Sequence, residues 1–86
     1  MRYKQEFLNC FETEDTIRKL KAIIEFVEDK EKKYNKEINE FTREELKGIF
    51  EDIKDYYVTL HDVRTNKEDI YYYINYYLEV VKELEK

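Results

Sequence analysis

The sequence predicts an all-α protein: a compact bundle of about four helices in one domain spanning residues 1–86. Three observations carry that expectation. Apolar residues recur at spacings of three and four, the signature of a helical face. Proline is absent and Gly48 is the single glycine, which leaves little to break a helix. Two stretches, at Thr42 and at Thr65, have the S/T-x-x-E pattern that opens helices. Aromatic residues make up 16% of the chain and give so short a sequence large side chains with which to fill a core.

The first element runs from Arg2 to Phe11, a short helix with Tyr3, Phe7, Leu8 and Phe11 on one side. The second runs from Glu14 to Lys33. Thr13 is its expected N-cap, and Glu14 and Asp15 suit the positive helix end. Ile17, Leu20, Ile23, Ile24 and Val27 form its core stripe, with Phe26 at the edge, and Lys30, Lys32 and Lys33 complement the dipole at its far end. Tyr34 to Phe41 is a connection with Ile38 and Phe41 turned inward.

Thr42-Arg43-Glu44-Glu45 is a capping box, flanked by Phe41 and Leu46 in staple positions. The helix it opens is expected to reach about Tyr57, with Leu46, Ile49, Phe50, Ile53 and Tyr57 inward. Val58 to Arg64 reads either as a turn of helix or as a loop. Thr65-Asn66-Lys67-Glu68 is a second capping box, and the last helix follows with Ile70, Tyr73, Ile74, Tyr77, Val81 and Leu84 on its core face, Leu78 and Val80 flanking. No β-sheet is expected.

Chemistry is sparse. His61 is the only histidine and Cys10 the only cysteine, so an internal disulfide and a histidine-cysteine zinc site are excluded. His61 reads as a surface-loop residue and Cys10 as a buried helix residue. One glycine cannot build a phosphate-binding loop, and Glu51, Asp52 and Asp55 lack the spacing of a calcium loop. The expectation is no catalysis, no cofactor, no metal and no small-molecule substrate. No apolar run approaches the roughly 20 residues that cross a bilayer, and the N-terminus lacks a signal-peptide core. The reading is therefore a cytoplasmic protein without a membrane partner.

Charge is uneven. Residues 1–36 hold nine Lys/Arg against eight Asp/Glu, and residues 37–86 hold seven against thirteen, giving +1 and −6 and the net charge of −5. The front half can approach a phosphate backbone, whereas the rear half repels one. Tyr71, Tyr72 and Tyr76 lie off the core stripe of the last helix. Two placements fit them: packing against the first helix or the bundle end, or an exposed aromatic patch that anchors a partner protein.

The ordering of Phe7-Leu8, Thr16, Leu20, Ile24, Val27, Phe41-Thr42, Leu46, Ile49-Phe50, Thr65, Ile74 and Tyr77 resembles the N-terminal, SAM-like core-binding domain of phage integrases and other tyrosine recombinases, including recombinase-like phage repressors. That resemblance implies a DNA-associated module acting in mobile-element recombination or regulation. Its partners would be duplex DNA and another protein, whether recombinase, repressor or host factor. The basic positions matching such a role are Arg18, Lys19, Lys21, Arg64 and Lys67. The chain stops where the family's catalytic domain would begin, so none of its nine tyrosines takes the part of the recombinase nucleophile. The acidity of the rear half supports a second reading, a small phage-type inhibitor of a nucleic-acid-binding protein. Its working face would be Glu40, Glu44, Glu51, Asp52 and Asp55.

Overall fold

Helix α2, Glu14–Tyr34, is the longest element, and the first and last helices and the hairpin pack against it. The computed structural model describes residues 1–52, 57–60 and 63–86, with side chains for all of these except 52, 57–60, 63–65 and 67. Element order is α1 (Lys4–Leu8), α2, a 3-10 turn (Ile38–Glu40), α3 (Arg43–Asp52), strands β1 (Tyr57–Leu60) and β2 (Val63–Asn66), and α4 (Lys67–Leu84). The fold class is all-α with four helices, as the periodicity predicts, and the body measures 36 × 32 × 19 Å. The short dimension is about two helix diameters.

The core is where the stripes meet. Leu20, Ile23, Ile24 and Val27 of α2 are buried with Ile70, Ile74, Tyr77 and Val81 of α4, and Phe7, Ile38, Phe41 and Ile49 close the cluster. Leu20, Ile49 and Ile70 are completely inaccessible. Ile17, Phe26 and Tyr73 are half-buried at the margin. Phe7 contacts Phe11 and Tyr77 edge-on, with centroids 5.4 Å away in each case, the geometry that ring quadrupoles favour. The Tyr77 hydroxyl accepts a hydrogen bond from the Tyr3 amide at 3.2 Å, so α4 also supplies the capping acceptor for the entrance to α1.

The Thr42 capping box forms in full. The Thr42 hydroxyl accepts from the Glu45 amide at 3.1 Å, and the Glu45 carboxylate accepts from the Thr42 amide at 2.9 Å. Thr13 occupies the N-cap position of α2 but makes no side-chain cap bond. That helix ends on Asn35 in the left-handed conformation (φ 56°), a position where asparagine costs less than most residues.

Five expectations are corrected. The sheet-free expectation fails, because β1 and β2 pair antiparallel with Tyr57 opposite Asn66 and Leu60 opposite Val63. Val58, Thr59, Val63 and Thr65 are β-branched, which suits a ladder better than a helix turn. Tyr57 accordingly opens β1 rather than closing α3. The second cap slips by one residue. Asn66, not Thr65, caps α4, its side-chain oxygen accepting from the Asp69 amide at 2.7 Å, while Thr65 pairs with Val58 in the hairpin. Leu84 is exposed, because the core beneath α4 ends at Val81. Cys10 is exposed too, since α1 stops at Leu8 and Cys10 falls in the turn beyond it. Ile53, Asp55, His61 and Asp62 lie outside the described residues.

Candidate nucleic-acid interface

The five basic candidates come from two stretches far apart in sequence, and the fold brings their elements to one end of the bundle. Lys19 Nζ lies 3.3 Å from Asp69 Oδ2, joining α2 and α4 across 50 positions of sequence. Strand β2 runs beside both helices. Arg64 sits in β2 and Lys67 opens α4, five and two positions before the Asp69 that Lys19 reaches. The side chains of Arg64 and Lys67 are outside the described residues.

The three α2 candidates differ in availability. Arg18 is exposed and pairs with the Glu14 carboxylate one turn back, at 4.0 Å, a spacing that contributes a few tenths of a kcal/mol at most. Lys21 is exposed. Lys19 is half-buried and tied to Asp69, so its first task is to hold α2 against α4. Two further exposed cations escaped the sequence reading. Arg43 and Lys47, one turn apart on α3, line a groove with Leu46, Phe50, Glu51, Tyr71 and Asn75. Their spacing on one helix was the signal that could have found them.

The tyrosines divide. Tyr71 packs on Phe50 of α3, with centroids 4.5 Å apart, and keeps 53% of its surface exposed. Tyr72 and Tyr76 lie on the other flank of α4, where Tyr76 meets Phe11 at 5.3 Å and Phe7 at 5.7 Å. They remain 59% and 37% exposed, so Tyr76 touches the α1 region while both rings still present a surface. The acidic positions of the inhibitor reading, Glu40, Glu44 and Glu51, are also exposed, while the side chain of Asp52 is outside the described residues. No helix among the described residues is long and apolar enough to cross a membrane.

The described residues form a small helical bundle whose last helix shares its buried core with the longest one. Residues 1–79 match the family model described as the MrpR N-terminal core-binding domain, and the chain belongs to that family. The match narrows the integrase-type resemblance to one branch of core-binding domains. No curated protein and no solved structure matches the chain.

Proposed function

We propose that the chain is a non-catalytic, DNA-associated module of recombinase type. It acts in the cytoplasm in mobile-element recombination or regulation and touches the phosphate backbone with the end of the bundle where α2, β2 and α4 begin. The observation that supports this reading is the Lys19–Asp69 contact, which joins α2, carrying Arg18, Lys19 and Lys21, to α4, which Lys67 opens, beside the strand β2 that holds Arg64. Family membership supports the same reading at the level of class. Arg18 and Lys21 supply exposed charges on α2, and the reading adds Arg64 of β2 and Lys67, the first residue of α4.

A chain of net charge −5 binds DNA only where its positive residues are concentrated, so affinity is expected to be modest and steeply dependent on salt. Each phosphate neutralised adds about −0.9 to the slope of log affinity against log salt. Fluorescence anisotropy with a labelled duplex tests this directly. Arg18→Glu with Lys21→Glu should abolish binding and leave the circular dichroism spectrum unchanged, because neither side chain packs in the core. Equal binding by that double variant, or none by the folded parent at low ionic strength, would overturn the proposal.

A further inference from the structure

The outer face of α4 carries a stripe that the DNA reading does not use. Tyr72, Tyr76, Glu79 and Glu83 follow one another at spacings of four, three and four, opposite the buried Ile70, Ile74, Tyr77 and Val81. The Tyr72 and Tyr76 rings are 6.3 Å apart, and Phe11 extends the aromatic surface toward α1. Glu79 and Glu83 are exposed and pair with the i,i+3 lysines Lys82 and Lys86, each at 3.4 Å. Such exposed pairs contribute little and exchange readily for another cation.

Elsewhere the chain covers its rings with its own lysines: Lys30 stands over Phe26, Lys33 over Tyr34 and Lys36 over Phe41, at 5.5, 5.9 and 5.6 Å. Among the described residues no cation stands over Tyr72 or Tyr76. Aromatic faces and carboxylates attract the same groups, guanidinium and ammonium, the first through the ring quadrupole and the second through ion pairing. The 4-3-4 spacing is that of a helix seam.

We propose that this face docks a cationic amphipathic helix of a partner protein, with apolar and arginine or lysine side chains seated on Tyr72 and Tyr76 and further basic groups paired with Glu79 and Glu83. DNA is a poor occupant, because the two carboxylates repel phosphate. A second copy of the chain is disfavoured as well, since Glu79 and Glu83 of two copies would be brought together. The site is separate from the basic end of the bundle, so it stands or falls independently of the DNA reading.

A titration followed by amide chemical shifts tests the proposal. The probe is a synthetic amphipathic helix of leucine and arginine, and its control has glutamate in place of arginine. The arginine peptide should shift the amides of Phe11, Tyr72, Tyr76, Glu79 and Glu83, and the glutamate peptide should not. Tyr72→Ser with Tyr76→Ser should weaken binding about tenfold, as expected for losing two ring–cation contacts. Glu79→Lys with Glu83→Lys, at positions that cannot disturb the core, should do the same and keeps the test informative if the tyrosine variant unfolds. Shifts mapping to Glu40, Glu44 and Glu51 instead, undiminished binding by the folded variants, or concentration-dependent dimerisation of the peptide-free chain through this face would each overturn it.

Discussion

Lys19 of α2 and Asp69 of α4 form a half-exposed ion pair at 3.3 Å, and Asp69 also stands in the first turn of α4, where Asn66 bonds its amide. The pair therefore joins two helix starts and consumes one of the five positive charges proposed to face DNA. Both partners keep about a third of their surface, 35% and 32%, so solvent screens the pair and its net worth is below about 1 kcal/mol. Asp69→Asn should release the Lys19 ammonium and strengthen duplex binding at low salt, at a small cost in stability. Anisotropy titrations of parent and variant at matched ionic strength measure the effect. Weaker binding by the variant would show that Lys19 acts only as a strut.

The Thr42 box gives a prediction in pH. Lys36, at 2.6 Å, and the Thr42 amide hold the Glu45 carboxyl below its usual range. Because the folded value is the lower one, the stabilisation is complete above the ordinary glutamate pKa and fades as pH falls through the folded value. Glu45→Gln should therefore lower the urea midpoint at neutral pH, and the gap from the parent should close in acid. Thr42→Ala should cost about 1 kcal/mol at neutral pH through loss of the cap.

Gly48 offers a gain. It lies within α3 without a positive φ, and a methyl group placed there meets nothing within 4 Å. Gly48→Ala should stabilise the fold by roughly 0.5–1 kcal/mol, because glycine loses the most backbone freedom on entering a helix. Thermal unfolding of the two proteins in parallel checks this.

Tyr77→Phe removes the acceptor of the Tyr3 amide and should cost about 1 kcal/mol. Burial pushes the Tyr77 phenol up, so the native state keeps its proton longer than the unfolded chain does. The resulting stabilisation holds below the unfolded value and is lost as pH rises through the folded one. Urea midpoints taken from neutral to alkaline pH should fall less steeply in the Phe variant.

The long helices were legible because their stripes are long enough for period to decide. Leu20 to Val27 and Ile70 to Val81 each cover two or more turns, and of the residues expected inward along those spans all but the half-buried Tyr73 are buried. The hairpin was not, since four-residue strands offer too few positions to distinguish alternation from a helix turn. Leu84 and Cys10 failed for another reason. Each lies at the end of an element, where burial depends on how far the neighbouring helices reach. At the candidate interface, charge and cap position pointed to Arg18, Lys19, Lys21, Arg64 and Lys67. The Asp69 contact that restrains Lys19 was invisible, because nothing local links residues so distant in sequence.

The Tyr3–Tyr77 bond spans 74 positions, and the buried stripe of α2 shares its core with that of α4. During synthesis, Leu20, Ile23, Ile24 and Val27 emerge from the ribosome long before Ile70, Ile74 and Tyr77 exist to receive them. The nascent chain therefore presents an uncovered apolar helix until α4 is released, a window in which it is open to chaperones and to aggregation. Closing so large a loop adds an entropic toll that grows only with the logarithm of its length, so the last step should be a concerted one in which α4 docks and the whole core forms together.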